Sequence, residues 1–261
     1  MKILDRTISE KTASLISIIE QSLSKPVVYG FTNPATKDYG YCDYTQPDAY
    51  YIYSAGSLFN AAKKNQVNVP FETNLLHELS HLCQIEEGFP YTITKTTPET
   101  SKNMEHYNVL GSILCSCILD LNVDSRLKSY GFDSHYFYGQ KVINLEKILR
   151  KGTDYSKCAS EEFLKAALMI SSLVLTYKSQ KLAEAMQHLL PINEPLLRCV
   201  QDMTTGIKKI GYDTADGAFR CLVFVFSATG LFSTHSIVYR GKEYVDLSSV
   251  REDFSDIHIL K

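Results

Sequence analysis

The sequence predicts an α+β fold, with a small N-terminal β-sheet and one distinctive helix followed by a mainly α-helical C-terminal lobe. Three observations carry this expectation. Short runs rich in Val, Ile and Tyr, bounded by turn residues, crowd the first 53 residues and recur only in one late hairpin. From residue 103 onward apolar residues return at helical spacing almost without a break. Between these regions, residues 70–90 carry helix start and stop signals of their own. The expected division is residues 1–100, sheet and special helix, and residues 101–261, a helical lobe. A chain of 261 residues is long enough for two such lobes to act as one catalytic unit.

Taken in order, residues 8–24 predict an amphipathic helix, because Ile8, Leu15, Ile16, Ile19 and Leu23 recur on one side. Strands follow at 26–31, 39–44 and 49–53, separated by Asn33-Pro34 and by Gln46-Pro47-Asp48. The helix over 70–90 has Asn68 as N-cap, Pro70 in its first turn, Gly88 as its stop and Pro90 beyond it. Leu75, Leu76, Leu79, Leu82 and Cys83 share one arc, facing a core. His77, Glu78 and His81 share the roughly opposite arc, a polar face suited to line a cleft. Further helices are expected at 103–129, 140–150, 160–177, 179–189, 193–210 and 214–229. A final hairpin over 237–245 should turn at Arg240-Gly241.

Composition removes several classes. A net charge of −2 with acids and bases interspersed offers no stripe for nucleic acid. The longest apolar runs, 166–177 and 221–232, are about a dozen residues, short of the roughly 20 that a membrane-spanning helix needs. The first residues lack the apolar run of a leader peptide. Seven cysteines, irregularly spaced and without a C-x-x-C pair, read as reduced thiols of a cytoplasmic protein.

The segment His77-Glu78-Leu79-Ser80-His81 carries the chemistry. On a helix, residues four apart stack on one face, so both imidazoles can close on one metal ion. Glu78, about 100° round from His77, can reach a water at that ion without ligating it. Two neutral imidazoles suit zinc, and the carboxylate supplies a general base for hydrolysis. Chance alone would produce this pattern in roughly one such chain in a hundred. The helix punctuation around it is what argues against chance.

Residues 70–90 resemble the active-site helix of zincin metallopeptidases. That resemblance implies that His77 and His81 bind Zn2+ and that Glu78 activates water. In that family a few strands precede the helix and an edge strand pairs with the extended substrate. Residues 50–53 are expected to be that edge strand, their tyrosines serving packing. The metzincin branch is disfavoured, because no His follows in 84–90.

Hydrolytic zinc usually takes a third protein ligand. The helix expected over 103–129 is mostly apolar but carries Asp120 and Asp124 four apart, on one face. Carboxylates on an apolar helix need a reason, since burying a charge without a partner is costly. The arrangement is similar to that of gluzincins, which implies Asp120 as third ligand and Asp124 as the residue that orients His77 or His81. The first acid here is Asp where gluzincins have Glu, and the gap from His81 is longer. Asp124 itself, Glu105, His106 and Cys117 are the rival third ligands. His106 and Asp120 lie about 21 Å apart along one helix and cannot share an ion. An N-cap role or a solvated ion pair with Arg126 is the plain alternative for the two acids.

The expected function is a zinc-dependent hydrolase, a metallopeptidase acting on a peptide or protein substrate, with neither nucleic acid nor membrane as partner. Glu78 would take a proton from water and pass it to the leaving amine. His135, Tyr136 and Tyr138 are side chains of the right type to assist the oxyanion, although packing is the plainer role for each. The competing readings are a zinc-site protein of regulatory or sensor type without peptidase activity, and a helical interaction protein in which the motif is accidental.

Overall fold

The computed structural model describes residues 2–4, 6–31, 40–54, 67–132, 160–176, 184 and 193–255. A short antiparallel pair, β1 (Lys2–Ile3) and β2 (Arg6–Thr7), leads into α1 (Glu10–Ser22). The N-cap of α1 is Ser9, whose hydroxyl accepts from the Thr12 amide. Strands β3 (Val27–Phe31), β4 (Gly40–Asp43) and β5 (Tyr50–Ser54) form a sheet in the order β3-β5-β4. Then come α2 (Val69–Glu86), β6 (Tyr91–Thr94) and the 26-residue α3 (Met104–Ser129). The remaining helices are α4 (Ser160–Thr176), α5 (Glu194–Ile210), α6 (Ala215–Thr229) and α7 (Leu247–Asp253). Strands β7 (His235–Tyr239) and β8 (Lys242–Tyr244) precede α7 and form with β6 an antiparallel sheet of order β6-β7-β8.

The architecture is α+β, as expected. The helices expected at 140–150 and 179–189 lie outside the described residues, apart from Glu184. The hairpin turns at Arg240 and Gly241, both with positive φ (52° and 74°), the two-residue geometry that matches strand twist.

Two compact units are formed, residues 1–87 with 123–134, and residues 88–122 with 135–261. The last turns of α3 belong to the first unit. That unit packs α1, β4 and β5 against α2 around Ile16, Ile52, Phe71, Leu75, Leu79, Leu82 and Leu127. The second unit has a larger core on α4, α5 and α6, with Phe219 stacked on Tyr239 at 4.5 Å. Among the described residues no helix is long and apolar enough to cross a membrane.

One expectation fails in the first unit. Residues 50–53 were expected to be an edge strand, yet β5 is the central strand, parallel to β3 and antiparallel to β4. Its backbone groups are engaged on both sides, so no extended substrate can pair with it. Alternation explains the placement. Tyr50, Ile52 and Ser54 point into the core, while Tyr51 and Tyr53 lie on the other face. There Tyr53 stacks against Tyr41 of β4, ring centroids 4.9 Å apart. The edges of this sheet are β3 and β4, and β4 is the edge that packs on α2.

Candidate metal centre

Helix α2 starts where the sequence says it should. The Asn68 side chain accepts from the Phe71 amide, Pro70 occupies the first turn, and Gly88 adopts φ +73° just past the end. Leu75, Leu76, Leu79 and Leu82 are fully buried, which is the expected core face. The opposite face departs from expectation. Instead of lining an open cleft, Glu72, Asn74, Glu78 and Gln84 are buried too, and His77 and His81 are half-buried.

Burial of so many polar groups is tolerable because they meet partners. Glu72 accepts from the Ser9 and Thr12 hydroxyls (2.9 and 2.6 Å) at the N-terminus of α1, where a helix dipole favours negative charge. The amide of Asn74, one turn before Glu78, reaches the Glu78 carboxylate at 3.4 Å, and the Ser54 hydroxyl of β5 lies 3.4 Å from the Asn74 oxygen. Gln84, one turn after His81, has its oxygen 2.9 Å from His81 Nδ1. Glu86 accepts from Tyr50 (2.6 Å) and the Ser24 amide (2.9 Å), and its carboxyl is held below the usual range by the Ser24 and Tyr50 hydroxyls.

The two imidazoles turn toward one another, with Nε2 of His77 and Nε2 of His81 3.2 Å apart. Two nitrogens bound at 2.0–2.1 Å to one tetrahedral ion stand about 3.3 Å apart, so the pair already has the separation a single zinc would impose. Asp120 completes the group. The ligand atoms of His77, His81 and Asp120 all lie within 4.8 Å of one another. The donor set, two imidazoles and a carboxylate, suits zinc and also iron or manganese.

The other sequence candidates are placed as follows. Glu78 is 6% exposed and faces β4, where burial, together with its carboxylate, raises the Cys42 thiol pKa. Asp124, buried on the next turn of α3, is not a member of the converging group. Neither are Glu105 and His106 in the first turn of α3, where Lys165 Nζ lies 3.1 Å from His106 Nδ1. Cys117 is a buried thiol directed at the Leu168 carbonyl (3.4 Å). Arg126 makes a bidentate pair with Glu87, which closes the end of α2. His135, Tyr136 and Tyr138 lie outside the described residues.

Sequence reasoning missed Asn74, Ser54, Gln84 and the Glu72 cap. Asn74 and Gln84 had a usable signal in their i−4 and i+3 spacing from Glu78 and His81. Ser54 had none, since only the fold brings it to α2.

Comparison of the chain with protein-family models, with curated proteins and with solved structures returns no match.

Proposed function

We propose that the chain is a zinc-dependent hydrolase, a metallopeptidase of the zincin type, acting on a peptide or protein substrate. The observation that carries this reading is the convergence of His77, His81 and Asp120 in a motif that also supplies Glu78. Bound zinc would supply Lewis acidity and make a nearby water a better proton donor.

The chain's own residues do the rest. His77, His81 and Asp120 would hold the ion, and Glu78 would take a proton from the attacking water and return it to the leaving amine. Asn74 keeps the Glu78 carboxylate in one orientation. With His81 Nδ1 directed at Gln84, the orienting role of Asp124 falls to His77, and both His77 Nδ1 and Asp124 Oδ1 are buried atoms. The six described cysteines are thiols, which supports a reducing compartment such as the cytoplasm.

A second reading, a metal-holding regulatory protein without hydrolysis, is favoured by the deep burial of Glu78 and by the interior position of β5. One experiment separates the two. Zinc-loaded protein is incubated with a mixture of unstructured peptides, and cleavage is followed by mass spectrometry. The peptidase reading expects cleavage that Glu78→Gln reduces by at least about 100-fold while metal content stays the same. Retained cleavage removes Glu78 as the base. Absence of cleavage by metal-loaded wild-type protein favours the regulatory reading.

A further inference from the structure

Gln84 is a polar side chain on a helix, one turn beyond His81, yet it is only 1% exposed. Its oxygen stands 2.9 Å from His81 Nδ1, while the other nitrogen of that ring stands 3.2 Å from His77 Nε2. An amide oxygen can only accept, so Nδ1 must carry the proton in this contact. That leaves a lone pair on Nε2, directed at the group formed with His77 and Asp120. Which nitrogen of an imidazole is available to a metal is set by the hydrogen bond that the other makes.

We propose that Gln84 is a positioning residue that locks His81 in its Nδ1–H tautomer and so preorganises Nε2 as a metal donor. The metal role rests on the proposed function above; the tautomer lock does not. The helix supplies the rigidity, because His81 and Gln84 share α2 and their contact spans three residues of continuous backbone. A glutamine does this without adding charge beside the carboxylates of Glu78 and Asp120.

The test begins with metal-free wild-type protein and long-range proton–nitrogen NMR of its imidazoles. His81 is expected as the Nδ1–H form. An Nε2–H form would mean that the Gln84 amide nitrogen faces the ring, and would overturn the proposal without any variant. In Gln84→Leu the ring is expected to lose its preference for Nδ1–H, whereas Gln84→Glu, which keeps an acceptor, retains it. Zinc titration should then show binding about 10–100-fold weaker in Gln84→Leu and within a few-fold of wild type in Gln84→Glu. Unchanged tautomer or unchanged zinc affinity in a folded Gln84→Leu overturns the proposal. Wild-type protein with the Nδ1–H form but no zinc affinity supports the lock and overturns the metal reading.

Discussion

The buried carboxylates and amides of α2 answer one another or neighbouring elements, while its buried hydroxyls, Thr73 and Ser80, return to the Val69 and Leu76 carbonyls. Glu72 takes hydroxyls from α1, Asn74 bridges Ser54 and Glu78, and Gln84 meets His81. On α5 and α6 the hydroxyls are satisfied in that same local way. Thr204 returns its hydroxyl to the Val200 carbonyl, Ser227 to Val223 and Thr229 to Val225, each satisfied within its own turn. These two helices therefore pack as an apolar and aromatic body, whereas α2 keeps buried carboxylates and amides and half-buried imidazoles in a polar network. A buried network of carboxylates, amides and imidazoles is costly unless its members are held in fixed geometry. The contrast teaches that burial alone does not mark a site. What marks it is which partner a buried polar group has.

The sharpest way to break this comparison is to damage the apolar body and watch the polar one. Phe219 is fully buried against Tyr239, Tyr244 and Phe254. Phe219→Ala should cost about 3–5 kcal/mol in urea unfolding through lost burial and a residual cavity. The imidazole tautomer of His81, which rests on its contact with Gln84 in the first unit, should stay as in wild type in the folded variant. A parallel change of that tautomer would mean that the two regions are not energetically separate.

A smaller effect concerns the one histidine that is buried among the described residues of the second unit. His235 bonds the Tyr107 carbonyl at 2.9 Å and the Thr234 hydroxyl at 2.8 Å. Burial, reinforced by the Lys95 charge, holds its pKa below 6.5, although the Tyr107 bond pulls the other way. The folded state thus binds its proton less readily than the unfolded chain. Stability is fully present well above pH 6.5 and declines as pH falls through 6.5, levelling off below the folded-state pKa. Urea midpoints across this range should fall for wild type and fall less steeply for His235→Gln. Equal slopes would remove His235 from the account.

The elements with local punctuation were legible in the sequence. Helix α2 announced itself through Asn68, Pro70 and Gly88, and the last hairpin through Arg240-Gly241. Strand β6 was not legible, because four residues carry little periodicity and its partner β7 lies far along the chain. The central place of β5 depends on its parallel pairing with β3, which no local pattern encodes. In the site, His77 and His81 followed from spacing alone. Asp120 followed from a carboxylate that an apolar helix should not carry without a partner. Gln84 and Asn74 offered only their spacing from His81 and Glu78, since their burial is decided by tertiary packing. Substrate chemistry leaves no comparable trace in these residues.

The central claim is that His77, His81 and Asp120 form one metal site. The most direct measurement is metal stoichiometry and affinity, by elemental analysis and competition with a chromophoric chelator, for wild type and Asp120→Ala. The account expects one zinc per chain, and a loss of affinity of about 100-fold or more in Asp120→Ala with the fold intact by circular dichroism. A wild-type protein that takes up no zinc, iron or manganese, or an Asp120→Ala protein that holds zinc as tightly as wild type, would contradict it.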